Sequence, residues 1–83
     1  MAKRNYLFAV QDSTGRELLS QYHEVEKVST ISATFDGTTL ALLEGESVLH
    51  SALPVAPSGD LSLYRWDAED KLSDPVRHPV KRV

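Results

Sequence analysis

Apolar residues come in short runs along the chain, cut by turn-forming clusters at Asp12-Ser-Thr-Gly15, Asp36-Gly37, Glu44-Gly45-Glu46 and Pro57-Ser-Gly59-Asp60. Glycine takes positive φ without a Cβ clash, and a neighbouring Asp or Ser bonds back to its own backbone. Each cluster therefore predicts a turn. The segments between them, 5–11, 16–35, 38–44, 46–55 and 60–66, are mostly of strand length.

Alternation is clearest around Asp36-Gly37. A two-residue type I′ loop there predicts the pairs Phe35 with Thr38, Ala33 with Leu40 and Ile31 with Leu42. Ile31, Ala33, Phe35, Leu40 and Leu42 then share a core face, and Thr30, Ser32, Thr34 and Thr39 a wetter one. Ala41 and Leu43 fall on the wetter side, which predicts partial cover or an interface there. Ser47 to Leu53 returns along this hairpin, with Val48 and Leu49 set against Leu43 and Leu42. Further on, Leu61 and Leu63 share one face of a strand, and Tyr64 and Trp66 the other.

Segment 16–35 fits this scheme least well, because it runs for 20 residues without Gly, Pro, Asn or Asp. As a helix, Arg16 to Val28 places Leu18, Leu19, Tyr22, Val25 and Val28 on one broad stripe, and Thr14 and Glu17 have capping-box spacing. As a strand, it must bend, as at a barrel corner. Asp-Ser-Thr-Gly followed by a polar residue matches a type I turn with a G1 bulge, which makes hairpins, so the β reading is preferred. After Trp66 the chain turns polar. Asp67 is placed to cap one helical turn, with Glu69 and Asp70 at its positive end and Pro75 ending it. Pro75-Val-Arg-His-Pro79-Val-Lys-Arg-Val83 repeats Pro-Val-basic and reads as an extended peptide.

The fold expected is thus mainly β: a small antiparallel meander or partly closed barrel of five or six strands over residues 1–74, followed by an extended basic tail at 75–83. The rival is α+β, with one helix at about 16–28 packed on a four- to five-stranded antiparallel sheet. A chain of 83 residues, 41% of them hydrophobic, supports one modest core. Without cysteine it has neither disulfides nor thiolate metal sites. Met1-Ala-Lys-Arg-Asn5 begins like a signal peptide, but the apolar run Tyr6–Val10 is too short to continue one. No stretch approaches the roughly 20 apolar residues of a spanning helix, so an intracellular protein is expected.

Charge is unevenly placed. Residues 5–76 hold all 12 acids and, as bases, only Arg16, Lys27, Arg65 and Lys71, so their net charge is 4 − 12 = −8. Lys3, Arg4, Arg77, Lys81 and Arg82 at the ends contribute +5, which gives the net −3. An acidic body repels nucleic-acid phosphates, whereas the basic ends suit an acidic partner, the body of a second copy, or nucleic acid.

Catalytic and metal signatures are missing. His23, His50 and His78 lie far apart in sequence, although His23 and His50 are able to meet across strands. The Asp67-x-Glu69-Asp70 run lacks the glycine and closing glutamate of a calcium loop. No Gly-rich loop opens a helix, and no serine sits in a nucleophile elbow. Glu24 and Glu26 share a face if they lie on a strand, but read as solvated surface beside Lys27. Aromatics interleave with a base only at Tyr64-Arg65-Trp66, and acids follow directly, so this patch suits a protein surface better than nucleic acid.

The function expected is a non-enzymatic protein-protein interaction module without cofactor or metal, an adaptor or inhibitor of the kind phages and mobile elements often encode. Its partner-binding candidates are Tyr64, Arg65, Trp66, Glu69, Asp70, Arg77, Lys81 and Arg82. The alternatives are a nucleic-acid-associated protein using its basic termini and a self-assembling structural subunit.

Overall fold

The computed structural model describes residues 3–70 and 72–83, and shows a mainly β chain with no α-helix among them. Among the described residues, eight strands form two four-stranded sheets: β1 (Arg4–Gln11), β2 (Glu17–Val25), β3 (Ile31–Phe35), β4 (Leu40–Glu44), β5 (Ser47–Ala52), β6 (Ser62–Asp67), β7 (Val76–Pro79) and β8 (Lys81–Arg82). Sheet A has the order β2-β1-β6-β7 and is antiparallel. Sheet B has the order β5-β4-β3-β8, with β8 parallel to β3. No helix of the described residues is long and apolar enough to cross a membrane.

The sheets face each other across one core. Alternate residues of each strand point inward, and Phe8, Val10, Val25, Leu61 and Leu63 from one side meet Ala33, Phe35, Leu40 and Leu42 from the other. The expected core face of the 31–42 hairpin is therefore observed, with Ile31 at its margin.

Segment 16–35 is β rather than helical, and it is two strands instead of one long bending strand. A 3₁₀ turn at Val28–Thr30 carries the chain from sheet A to sheet B. Thr30 donates through both its amide (3.1 Å) and its hydroxyl (2.7 Å) to the Lys27 carbonyl, which makes the break without Gly or Pro. Ahead of it, Gly15 at φ +85° closes the β1–β2 hairpin, and the register slips between Val10 and Gln11.

Two further expectations are corrected. The β3–β4 loop holds four residues, 36–39, and pairs Phe35 with Leu40, Ala33 with Leu42 and Ile31 with Glu44. Asp36 widens it by accepting from the Thr38 and Thr39 amides at 2.8 and 2.7 Å. Because the slip is two residues, every side chain keeps its face. The mainly β class stands and is compatible with the small meander expected, but no closed barrel forms among the described residues, and the strands number eight because segment 16–35 supplies two and the C-terminal segment adds β7 and β8. Pro79 and Val80 pass the chain from sheet A to sheet B. Val80 donates to the Leu61 carbonyl just before β6 (3.2 Å), and Val83 donates to that of Phe35 in sheet B (3.1 Å).

Asp12 ties the long β5–β6 loop to the first hairpin. Its buried carboxylate accepts from the Thr14 hydroxyl (2.6 Å), the Thr14 and Arg16 amides (3.0 and 3.1 Å) and the Ser58 amide (3.2 Å). These bonds, led by the Thr14 hydroxyl, outweigh burial and lower its pKa to about 2.

Candidate functional site

Strand alternation puts a second, solvent-facing set of apolar residues on sheet A. Tyr22, Leu7 and Trp66 form one row across β2, β1 and β6. Ser20, Ala9, Tyr64 and Arg77 form the next row, reaching β7, with Ala9 buried beneath its larger neighbours. Tyr64 and Trp66 stack along β6, with ring centroids 5.7 Å apart and planes at 30°. Tyr22 is 60% exposed.

The acidic segment after β6 borders this face. Arg4 pairs with Asp67 at 2.7 Å, the Asn5 amide donates to Glu69 at 2.8 Å, and the Ala68 amide donates back to the Asn5 carbonyl at 3.1 Å. Burial pushes the Asp67 carboxyl up, but the Glu69 amide and Arg4 outweigh it and leave it below the usual range. The expected helical turn is not formed. Asp67 and Asp70 instead each cap a tight turn, accepting from the Glu69 amide (2.9 Å) and the Leu72 amide (3.2 Å) respectively. Lys71, inside that expectation, lies outside the described residues. The turns leave a groove of about 500 Å³ between loop and sheet, with Leu7, Tyr22 and Trp66 as apolar walls and Asn5, Asp70 and Ser73 as polar ones.

The residues singled out in the sequence distribute unequally around this groove. Trp66 and Asp70 line it, Tyr64 stacks on Trp66, and Glu69 ties the loop to β1. Arg77 reaches the same face through β7 and donates from Nε to Ser62 Oγ at 2.9 Å. Arg65 does not join them, because alternation turns it to the opposite face, where its guanidinium lies 5.8 Å from the Tyr6 ring centroid. Lys81 and Arg82 are on sheet B. Arg82 donates to the Gly59 carbonyl at 3.0 Å and covers the Phe35 ring at 5.7 Å, while Lys81 is exposed. The sequence reading missed Leu7 and Tyr22. Parity along β1 would have found Leu7, but Tyr22 joins this face only once 16–28 is known to be a strand.

His23 and His50 do meet, edge to face at 6.4 Å between centroids, where β2 lies over β5. No group of three or more metal-ligating side chains forms among the described residues. No family model, curated protein or solved structure matches this chain.

Proposed function

We propose that this chain is a non-enzymatic protein-binding module, an adaptor or inhibitor, which holds a cationic and partly apolar segment of another protein on the outer face of sheet A. The observation that carries this reading is the cluster of Tyr22, Leu7, Trp66 and Tyr64, which lies on the side of the sheet away from the core and opens into an acid-rimmed groove. Aromatic side chains with a polar rim are what binding hot spots are made of. A Lys or Arg side chain laid over Trp66 would gain cation–π attraction while Asp70 neutralises it. The carboxylates held below their usual range, Asp12, Asp36 and Asp67, each organise a turn, which gives them a structural occupation in place of a catalytic one. The basic termini are the weaker candidate surface for nucleic acid, because Arg4, Arg77 and Arg82 are each engaged within the fold.

The test is capture of a partner from an extract of the cells that make the protein, followed by affinity measurement with the purified pair. Trp66→Ala with Tyr22→Ala is expected to weaken binding by about 2 kcal/mol or more, roughly thirtyfold. Charge reversal at Glu69 and Asp70, and rising salt, weaken it further. Unchanged affinity in the aromatic double variant, with its fold intact by circular dichroism, overturns the reading.

A further inference from the structure

Leu7 lies between Tyr22 and Trp66 in one row across β2, β1 and β6. Neighbouring strands are about 4.8 Å apart, so the two aromatic residues stand about 10 Å apart over a leucine floor. A cation held above Leu7 therefore lies about 5 Å from each wall, inside the roughly 6 Å over which an aromatic ring attracts it. Tyr64 covers one side of the Trp66 indole, which fixes the ring and leaves its other side to the groove. Asp67 and Asp70 line the groove towards the turns that follow β6. Each of their carboxylate oxygens already accepts a bond: those of Asp67 from Arg4 and the Glu69 amide, those of Asp70 from the Leu72 amide and the Ser73 hydroxyl. The rim thus offers negative charge more than open acceptors.

Resting on the protein-binding reading above, we propose that this groove takes a trimethylated lysine side chain of the partner, with the quaternary ammonium between Tyr22 and Trp66 and the alkyl stem along Leu7. An unmodified lysine or arginine brings several N–H donors, and burying them without partners costs free energy. A quaternary ammonium has no N–H. It needs ring surfaces, apolar contact and nearby negative charge, which this groove supplies together. A choline lipid carries the same ammonium, but its phosphate follows close behind and would meet Asp67 and Asp70. Like charge there selects the lysine side chain over the lipid headgroup.

The ligand to use is the acetylated amide of trimethyllysine, titrated into the isotope-labelled full chain while amide chemical shifts are recorded. Its two controls are the unmethylated lysine derivative and a neutral analogue with carbon in place of the ammonium nitrogen. The trimethylated ligand is expected to move the Leu7, Tyr22 and Trp66 signals and to bind about tenfold or more tightly than either control. Tyr22→Ala and, separately, Asp70→Asn should each weaken it about threefold or more. Both sites border solvent, and circular dichroism identifies any variant that fails to fold, so the other still decides. Absence of shifts, equal binding of the unmethylated control, or equal binding of the neutral analogue overturns the proposal. So does displacement of the ligand by phosphatidylcholine vesicles. The protein-binding reading is judged apart from these results, by the affinity of the captured partner for the Trp66→Ala, Tyr22→Ala double variant.

Discussion

Asp12 shows how one short side chain sets both a hairpin and a distant loop. Its carboxylate accepts most strongly when ionised, because all four bonds into it come from N–H or O–H donors. With a folded pKa lowered from 3.8 to about 2, its stabilisation is fully present above about pH 4 and disappears as pH falls towards 2. Asp12→Asn should therefore melt at a lower temperature than wild type at pH 7, and the gap should narrow steadily in thermal melts taken down to pH 2. A constant gap would assign the effect to packing alone. Gly59 is the complementary case. It sits at φ +64°, where an added Cβ would lie 2.5 Å from Ser13 Oγ, the hydroxyl that donates to the Ser58 carbonyl. Gly59→Ala is expected to cost about 1–3 kcal/mol in urea unfolding, through backbone strain and loss of that anchor.

Elements differ in how far the sequence could disclose them. The Asp-Ser-Thr-Gly turn and the alternation of 31–42 were legible, because glycine and period-two patterning act locally. Asp36-Gly37 suggested the correct hairpin but the wrong loop length, since the side-chain bonds from Asp36 to two amides compete with the type I′ geometry. Core membership survived that error because the slip is even. Leu42→Ala, in the fully buried row, should therefore destabilise by about 2–5 kcal/mol, while Leu43→Ala, one residue along and on the other face, costs clearly less in the same unfolding assay. The 3₁₀ break was not legible, because Thr30 acts through hydrogen bonds to Lys27 that a Gly/Pro scan does not register. The binding face was legible in Tyr64 and Trp66 alone, as the rest of it comes from strands that meet only through tertiary pairing.

Charge and apolar exposure divide the whole molecule into surfaces with different uses. Its basic residues at the ends are largely consumed in holding the fold: Arg4 on Asp67, Arg77 on Ser62 and Arg82 on Gly59 and Phe35. What remains is an acidic body with one aromatic face on sheet A. Because Trp66 is the chain's single tryptophan and stands on that face, its emission should shift when a protein partner docks. The most direct measurement is amide chemical-shift mapping of the labelled chain titrated with its captured partner. The account predicts perturbations centred on Leu7, Tyr22, Tyr64, Trp66 and Asp70, and perturbations confined to the termini or to β5 would contradict it.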